Sequence, residues 1–236
     1  MLLYYITDRN QFPGANVERR AQLLDRIAQA AEAGVDWIQL REKDLTARAL
    51  AQLAEEALRR IEPHRDRTRL LLNSRLDIAL AVGAGGVHLA SDDLAASQAR
   101  MIAGKAGASQ FETRNFLVGV SCHAASEVQL AAGHGADFAV LAPIFEKILA
   151  APAVSSAAQE AGDGFRLPGI GCEAIIEARR GASMPILALG GVNLSNAASC
   201  LAAGAAGVAA IRLFQQGDLA ETVRRLRSLE KLPAWT

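Results

Sequence analysis

Short apolar runs alternate with longer amphipathic stretches along most of this chain. The short runs predict eight strands, at 3–6, 37–40, 70–72, 86–89, 116–120, 138–142, 185–189 and 208–211. The longer stretches repeat their apolar residues at the helical period and predict helices at 17–33, 46–61, 76–82, 95–102, 125–132, 195–202 and 219–229. Strands that are buried on both faces read as continuous apolar runs. The pattern therefore predicts a parallel sheet that is covered by helices.

Glycines recur between the predicted helices and the strands that follow them. Gly34, Gly83, Gly135 and Gly204 each come after the last apolar turn of a helix, where a left-handed residue commonly ends the helix. This repeat is compatible with a doubly wound sheet or with a barrel. The count of eight strands in 236 residues favours one domain, a single (β/α)₈ TIM barrel over residues 1–236.

The segment 146–169 departs from this alternation. It is rich in Ala, Ser and Gly, and no helical pattern follows the sixth strand directly. Long connections in compact domains are usually binding loops, lids or disordered insertions. Because this one leaves the C-terminal end of a strand, where barrel active sites are built, we predict an active-site loop. A plain insertion is the alternative.

Composition narrows the classes of function. Hydrophobic residues make up 51% of the chain, which excludes a disordered protein, and 25 basic residues balance 25 acidic ones. Such a balance disfavours nucleic acid and acidic membranes as partners. No apolar run is long enough to span a membrane, and Asp8 comes too early for a signal peptide, so we expect a cytoplasmic location. Cys122, Cys172 and Cys200 form no metal or disulfide pattern and are expected to be reduced, buried thiols.

Three polar residues alternate at the end of the second strand. Gln39, Arg41 and Lys43 fall on one side of the extended chain and Glu42 on the other. An Arg fork together with the point charge of a Lys suits a phosphate or diphosphate. The alternative is a structural ion pair with Glu42 or Asp8.

The third and fourth strands end in further polar residues. Asn73 is a candidate contact to a ring or a phosphate, and Ser74 is a candidate cap of the next helix. Of the adjacent Asp92 and Asp93, one is expected to bind Mg²⁺ and the other to cap the fourth helix. His88 lies within the fourth strand and is predicted to be a hydrogen-bonded core histidine.

Ser121 and His123 share one side of the extended chain that follows the fifth strand. A histidine at a barrel mouth suits acid–base chemistry, because its pKa lies near working pH. Helix capping or packing is the alternative for His123.

The seventh strand ends in Gly190 and Gly191, and the eighth in Ile211 and Arg212. Barrels often hold phosphate on the loops after these two strands, through backbone N–H groups and a helix N-terminus. Glycine allows the backbone to approach a phosphate closely, and Arg212 would add a positive charge. We therefore predict a phosphate site here.

Several segments together resemble the thiamine phosphate synthase/TenI family. They are YYITDR, GVDWIQLREKD, NSRLDIAL, GVHL, GVSCH, PILALGGV and AGAAGVAAI, in the family's order over nearly the whole chain. The resemblance implies a (β/α)₈ barrel and one of two activities. The synthase joins a hydroxymethylpyrimidine diphosphate to a thiazole phosphate with Mg²⁺ and releases diphosphate. The TenI branch is a metal-free thiazole tautomerase that uses a histidine as acid and base.

The resemblance also implies roles for single residues. The expected contacts to the pyrimidine diphosphate are Gln39, Arg41, Lys43 and Asn73. Asp93 resembles a metal ligand and Ser121 a site serine. Gly191, with the backbone near Ile211, resembles the thiazole-phosphate site, and His123 matches the tautomerase histidine, which many synthases also carry.

Two departures from the family pattern keep the alternatives open. Ser74 stands where the synthase has an aspartate, so a second metal carboxylate is missing, as it is in TenI proteins. The loop after the sixth strand lacks the usual threonines, and only Lys147 could replace its lysine. The synthase is favoured because QLREK is complete. The tautomerase and a non-catalytic phosphate-binding protein remain alternatives. Small phosphorylated molecules are the expected partners, and a homo-oligomer is left open.

Overall fold

Eight strands pair in parallel and close into a barrel. The computed structural model describes residues 1–105, 115–149 and 165–229. These residues contain ten strands in all, of which β7 and β8 lie outside the barrel. They are β1 (Leu2–Ile6), β2 (Trp37–Leu40), β3 (Arg69–Asn73), β4 (Gly86–Leu89), β5 (Leu117–Cys122), β6 (Phe138–Leu141), β7 (Lys147–Leu149), β8 (Phe165–Leu167), β9 (Ile186–Ala188) and β10 (Gly207–Ala210). The barrel order is β1-β10-β9-β6-β5-β4-β3-β2, while β7 and β8 form a separate antiparallel pair. The predicted (β/α)₈ barrel is confirmed, with β9 and β10 as its seventh and eighth strands.

Helices connect successive barrel strands. They are α1 (Asn16–Ala33), α2 (Ala47–Ile61), α3 (Leu76–Ala81), α4 (Ala96–Lys105), α5 (Ala125–Gly133), α6 (Glu173–Gly181), α7 (Ala197–Ala202), α8 (Arg212–Gln215) and α9 (Leu219–Ser228). The predicted left-handed glycines are confirmed, since Gly34, Gly83, Gly135 and Gly204 have φ values of 91°, 70°, 77° and 98°. No helix in the described part of the chain is long and apolar enough to cross a membrane.

The connection after β6 differs from the prediction of a loop over 146–169. Its described ends pair as β7 and β8, and residues 150–164 lie outside the described ranges. Helix α6, which follows at Glu173–Gly181, was not predicted. Its buried residues Ile175 and Ala178 make one short apolar stripe, which is too little to show the helical period in the sequence.

Aromatic side chains fill the barrel interior below its mouth. Trp37 and Phe138 pack with ring centroids 4.5 Å apart, and Tyr4 lies edge-on to Phe138 at 5.5 Å. A Cβ on Gly119 would come within 2.1 Å of the Phe138 ring, so only glycine fits there. A second, larger core lies between the strands and the helices. The filled interior leaves the C-terminal mouth as the place where polar side chains can meet a ligand.

Candidate active site

The C-terminal end of β2 carries two basic side chains that have no hydrogen-bond or ion-pair partner among the described residues. Arg41 is half-buried and Lys43 is exposed. Within the described residues, neither side chain makes a hydrogen bond or an ion pair. The alternative of a structural ion pair with Glu42 or Asp8 was wrong, because both of those carboxylates have other partners. Two unpaired cations at the mouth leave their charge available to an anionic ligand.

A buried cluster explains why Glu42 is not available to its neighbours. Glu42 is 4% exposed and accepts a hydrogen bond from the Thr7 hydroxyl at 2.6 Å and from Arg9 Nη1 at 3.0 Å. Arg9, itself 5% exposed, also donates through both Nη atoms to Asp44, each at 2.6 Å. The backbone N–H of Arg41 donates to Thr7 Oγ1 at 3.0 Å. Arg9 thus engages the two acidic residues that alternate with Arg41 and Lys43.

This cluster also shifts the pKa values of its acids. Burial raises the pKa of the Glu42 carboxyl, and the hydrogen bonds from Thr7 and Arg9 oppose that rise. The hydrogen bonds from Arg9 lower the pKa of Asp44. Sequence reasoning missed Arg9. Two signals were available: Arg9 ends the YYITDR segment, and acids alternate with bases at 41–44.

Asp93 offers one carboxylate at the end of β4. Its Oδ2 accepts a hydrogen bond from the backbone N–H of Ala90 at 2.8 Å, while Oδ1 has no donor among the described residues. Ser74, on the neighbouring strand end, has a φ of 60° and accepts a hydrogen bond from Asn73 Nδ2 at 3.1 Å. No group of three or more potential metal-ligating acids, histidines or cysteines occurs in the described ranges. This donor set fits a hard cation only if a ligand supplies most of the oxygens.

The expected helix caps near this corner are not found. Ser74 does not cap α3, whose N-cap residue is Arg75 without a side-chain bond. At α4, the Asp93 carboxylate accepts from Ala90 and no first-turn N–H of the helix donates to Asp92 or Asp93 in the described residues. The backbone N–H of Ala95, just before the helix, donates to Gln98 Oε1 at 2.9 Å. A side chain from the first turn can reach back to the preceding amide in this way.

Ser121 lies at the mouth, at the end of a buried polar chain. Its Oγ is 2.8 Å from His88 Nε2, and His88 Nδ1 is 3.2 Å from the Tyr4 hydroxyl. Gln39 Nε2 donates to that hydroxyl at 3.2 Å. The prediction of a hydrogen-bonded core histidine is confirmed for His88. Gln39 belongs to the same hydrogen-bonded series, so one of its amide N–H groups is already bonded to Tyr4 before any ligand binds.

His123 is exposed and held by two hydrogen bonds. Its Nδ1 lies 2.8 Å from the carbonyl oxygen of Ala142, and its backbone N–H donates to Glu127 Oε2 at 2.7 Å. A carbonyl only accepts, so Nδ1 carries the proton in the neutral ring. Nε2 then keeps its lone pair and faces no protein donor among the described residues. This arrangement suits a proton acceptor, and the side chain does not cap α5.

Gly190 and Gly191 have left-handed backbones, with φ values of 92° and 66°. A Cβ on either residue would come within 2.7 Å of Pro143 or Phe145, which belong to the segment after β6. The backbone N–H of Phe145 donates to the Gly190 carbonyl at 3.0 Å. The glycines are therefore required by the packing of this segment, a reason that the sequence did not show.

The backbone groups around this turn still match the predicted phosphate site. The Gly191 carbonyl accepts a hydrogen bond from Asn196 Nδ2 at 3.0 Å, while the Gly191 N–H has no partner among the described residues. Ile211 is the N-cap residue of α8, and Arg212 is the exposed first residue of that helix. The N–H groups of Phe214 and Gln215 donate to the Ile211 carbonyl, whereas those of Arg212 and Leu213 have no partner among the described residues.

The remaining sequence predictions concern Lys147 and the three cysteines. Lys147 lies at the start of β7, but its side chain is outside the described part of the chain. Cys122 and Cys200 are buried as expected, whereas Cys172 is only half-buried, which corrects that prediction. Burial raises the pKa of the Cys200 thiol to about 12, and the neighbouring Cys172 adds to the rise. Cys172 lies beside the helix that carries Cys200, since its Sγ is 3.8 Å from Ser199 Oγ.

Sequence comparison finds relatives that are similar to this protein over nearly its whole length. The TMP-TENI family model, described as thiamine monophosphate synthase, matches residues 3–148 and 165–214. A putative thiamine-phosphate synthase of Geobacter sulfurreducens is 39% identical over 228 residues, which cover 96% of this chain and 93% of the relative. A thiamine-phosphate synthase of Methanoculleus marisnigri is 35% identical over 226 residues, covering 95% and 93%.

Solved structures agree on the architecture. A thiamine phosphate pyrophosphorylase from Pyrococcus furiosus superimposes with a TM-score of 0.72 at 24% identity, over 98% of this chain and 95% of that one. A 3-hexulose-6-phosphate synthase superimposes with a TM-score of 0.60 at 17% identity, over 97% of each. At these identities the superpositions support the fold alone.

Proposed function

The chain belongs to the thiamine monophosphate synthase family, and we propose that it is a transferase of thiamine biosynthesis. Its reaction couples a hydroxymethylpyrimidine diphosphate to a thiazole phosphate and releases diphosphate. The observation that carries this proposal is the pair of cations at the barrel mouth, Arg41 and Lys43, which have no partner in residues 1–105, 115–149 and 165–229. Near-complete coverage of relatives named as synthases supports it.

The reaction places its main electrostatic demand on the leaving group. The bond between the pyrimidine methylene carbon and the diphosphate oxygen breaks, and its electron pair leaves with the diphosphate. The lone pair of the thiazole nitrogen forms the new C–N bond. Arg41 and Lys43 would stabilise the charge that builds up on the departing diphosphate, because no carboxylate in the described part of the chain neutralises their side chains.

The thiazole phosphate would occupy the opposite side of the mouth. Support comes from the Gly191 N–H, which has no partner in the described ranges, from the exposed Arg212 and from the start of α8. There the phosphate would orient the thiazole nitrogen toward the pyrimidine methylene carbon. Orientation of two reactants in this way removes much of the entropic barrier of a bimolecular reaction.

Mg²⁺ is part of the proposal, with Asp93 as the carboxylate that would hold it together with the diphosphate oxygens. When bound, the ion would add positive charge at the leaving group. Because Asp93 is a single carboxylate, we expect the substrate diphosphate to be needed for tight metal binding.

The test is formation of thiamine phosphate from both substrates by the purified protein. Product that depends on Mg²⁺ and disappears with chelator is the expected result. A preparation of the Arg41→Met variant serves as a control for contaminating host enzyme. Absence of product at saturating substrates and Mg²⁺ would reject the synthase. Binding of thiazole phosphate without turnover would then indicate a non-catalytic phosphate-binding protein.

Restoring a carboxylate at position 74 is expected to strengthen metal binding. Ser74→Asp should lower the Mg²⁺ concentration for half-maximal rate by about tenfold, since a second negative charge would lie near the ion. Asp adopts the left-handed backbone of Ser74 more readily than most residues. Binding of Mn²⁺ in the presence of diphosphate, followed by electron paramagnetic resonance, gives a readout that does not depend on turnover.

Ser74→Asn is the matched control for this prediction. It has the same tolerance of positive φ but adds no charge, so its metal dependence should stay that of the parent protein. Equal metal affinity of the Asp and Asn variants would show that position 74 does not face the ion.

The thiazole tautomerase is a second candidate, and the anchored ring of His123 is the observation in its favour. A His123→Gln variant keeps a donor for the Ala142 carbonyl but loses the basic Nε2. It should lose tautomerase activity by about 10²–10⁴-fold, the usual contribution of a general acid–base group. Proton exchange on the thiazole phosphate, followed by NMR, measures this. Full activity in the variant would exclude His123 from the reaction.

A further inference from the structure

Four polar side chains form a continuous chain from the barrel interior to its mouth. Gln39, Tyr4 and His88 are almost completely buried, at 2%, 0% and 3% exposure, and Ser121 is half-buried at the mouth. They come from four strands, β2, β1, β4 and β5. Nothing in the proposed chemistry above requires Tyr4 or His88. Of these four side chains, Ser121 is the one that a ligand can reach, so the hydrogen-bonded series can affect a ligand through Ser121.

The charge state of His88 limits how protons are arranged along the chain. Its ring packs against Tyr4 and Phe138. Burial lowers the pKa of His88 to about 3, and the nearby Arg41 acts in the same direction, while Asp93 opposes them. The ring is thus neutral at physiological pH and carries one N–H proton, on either Nδ1 or Nε2.

The hydrogen-bond partners of Tyr4 indicate which nitrogen of His88 carries the proton. Gln39 Nε2 donates to the Tyr4 oxygen, and the only other polar atom that the structure describes next to this oxygen is His88 Nδ1. If Nδ1 also donated to this oxygen, the fully buried Tyr4 hydroxyl would keep its own proton unpaired, which is costly. The hydroxyl proton is therefore assigned to the bond with Nδ1, which is then the unprotonated nitrogen. The ring proton is then on Nε2 and is donated to Ser121 Oγ.

This arrangement leaves the Ser121 proton without a protein acceptor. Ser121 Oγ accepts from His88, and within the described ranges no other side-chain or backbone group contacts it. Its own hydroxyl proton therefore points into the mouth. In the reverse arrangement Ser121 would donate to His88 and would offer only lone pairs to a ligand.

We propose that Gln39, Tyr4 and His88 are positioning residues that hold the Ser121 hydroxyl as an outward hydrogen-bond donor. The site would then select a substrate with an acceptor atom, a ring nitrogen or an anionic oxygen, opposite Ser121. The proposal rests on the proposed function only for the identity of that substrate. Such a donor favours ligands that accept, because a ligand without an acceptor leaves a half-buried hydroxyl unpaired.

The direct test reads the protonation of His88 without any substrate. Long-range ¹H–¹⁵N correlation NMR on protein with ¹⁵N-labelled histidine distinguishes the two tautomers, and loss of one signal in His88→Gln assigns it. The proposal expects a neutral ring with the proton on Nε2. A proton on Nδ1, or a charged ring at pH 7, overturns it. Since no turnover is involved, failure here is separate from failure of the synthase assay.

A pair of matched variants tests the direction in which the hydrogen bond between Tyr4 and His88 is donated. Tyr4→Phe removes the hydroxyl that donates to Nδ1, so the preference for the Nε2–H tautomer should weaken and the His88 signals should shift. Tyr5→Phe removes an equally buried hydroxyl that donates to Gln215, which is not part of this hydrogen-bonded series. The His88 signals should stay in place in that variant. An unchanged His88 spectrum in Tyr4→Phe contradicts the proposal.

Kinetics then test whether the effect acts through Ser121. Tyr4→Phe should lower kcat/KM by about three- to tenfold, the range expected for one weakened hydrogen bond to substrate, and Tyr5→Phe should leave it within twofold. In a Ser121→Ala background, Tyr4→Phe should have no further effect, because the two residues act as one unit. Effects that multiply in the double variant would show that Tyr4 acts independently of Ser121 and would overturn the proposal.

Discussion

Replacing Arg41 by Met is expected to lower kcat/KM for the diphosphate substrate by about 10²–10³-fold. This is the usual cost of removing one group that stabilises charge developing in a transition state. The side chain has no protein partner among the described residues, so its loss leaves no unpaired buried charge. The fold should therefore be unaffected, and the loss should appear in the rate. Steady-state kinetics with each substrate varied in turn measure it.

Two further variants give the reason for this loss. Arg41→Lys keeps the charge but not the planar fork, so recovery of only part of the rate would show that bidentate contact matters. Lys105→Met removes an exposed charge at the end of α4, far from the mouth, and should change nothing. A loss of less than about fivefold in Arg41→Met would contradict the role of this cation in diphosphate departure.

Replacing Arg9 by Met is expected to lower the free energy of unfolding by about 3–5 kcal/mol, the typical cost of removing one partner of a buried ion pair. The side chains of Arg9 and Glu42 are 6% and 1% exposed and lie 3.0 Å apart. Without the guanidinium, Glu42 would remain buried as an uncompensated charge or take up a proton. Urea unfolding with linear extrapolation measures the difference.

The matched control for Arg9 is an exposed ion pair. Arg60 lies 2.7 Å from Asp25, with the two side chains 43% and 62% exposed, and Arg60→Met should cost less than about 1 kcal/mol. Equal stability losses in the two variants would contradict the assignment. Adding Glu42→Gln to Arg9→Met should recover part of the loss, because the remaining partner then carries no charge.

The cluster also matters for the site. In Arg9→Met, the side chain of Asp44 loses its partner and becomes free to pair with a neighbouring cation such as Lys43. Affinity for inorganic diphosphate, measured below the unfolding temperature of this variant, should therefore fall, in part because Asp44 neutralises the site. Adding Asp44→Asn should reverse that part of the loss without restoring stability.

Local patterns in the sequence were enough for the architecture and for most of the mouth. Apolar runs gave the barrel strands, because both faces of a parallel strand are buried. The glycines at 34, 83, 135 and 204 marked the ends of helices, because that turn needs a positive φ. Arg41, Lys43, Asp93 and Ser121 were found by their positions, because parallel strands bring all their C-terminal ends to one edge. The motifs that carry the family resemblance lie on the same strand ends.

Other features depend on contacts between residues that are distant in the chain. Arg9 meets Glu42 across 33 residues, and Tyr4 meets His88 across 84. The need for glycine at 190 comes from Pro143, on another strand's loop. Sequence periodicity reports which face of a strand is apolar, whereas these partners are chosen only when the barrel closes and strands far apart in sequence become neighbours. The sequence by itself therefore determined the barrel and the cations at its mouth. Only the tertiary structure decided which buried groups hold the acids away from those cations and which way the Ser121 proton points.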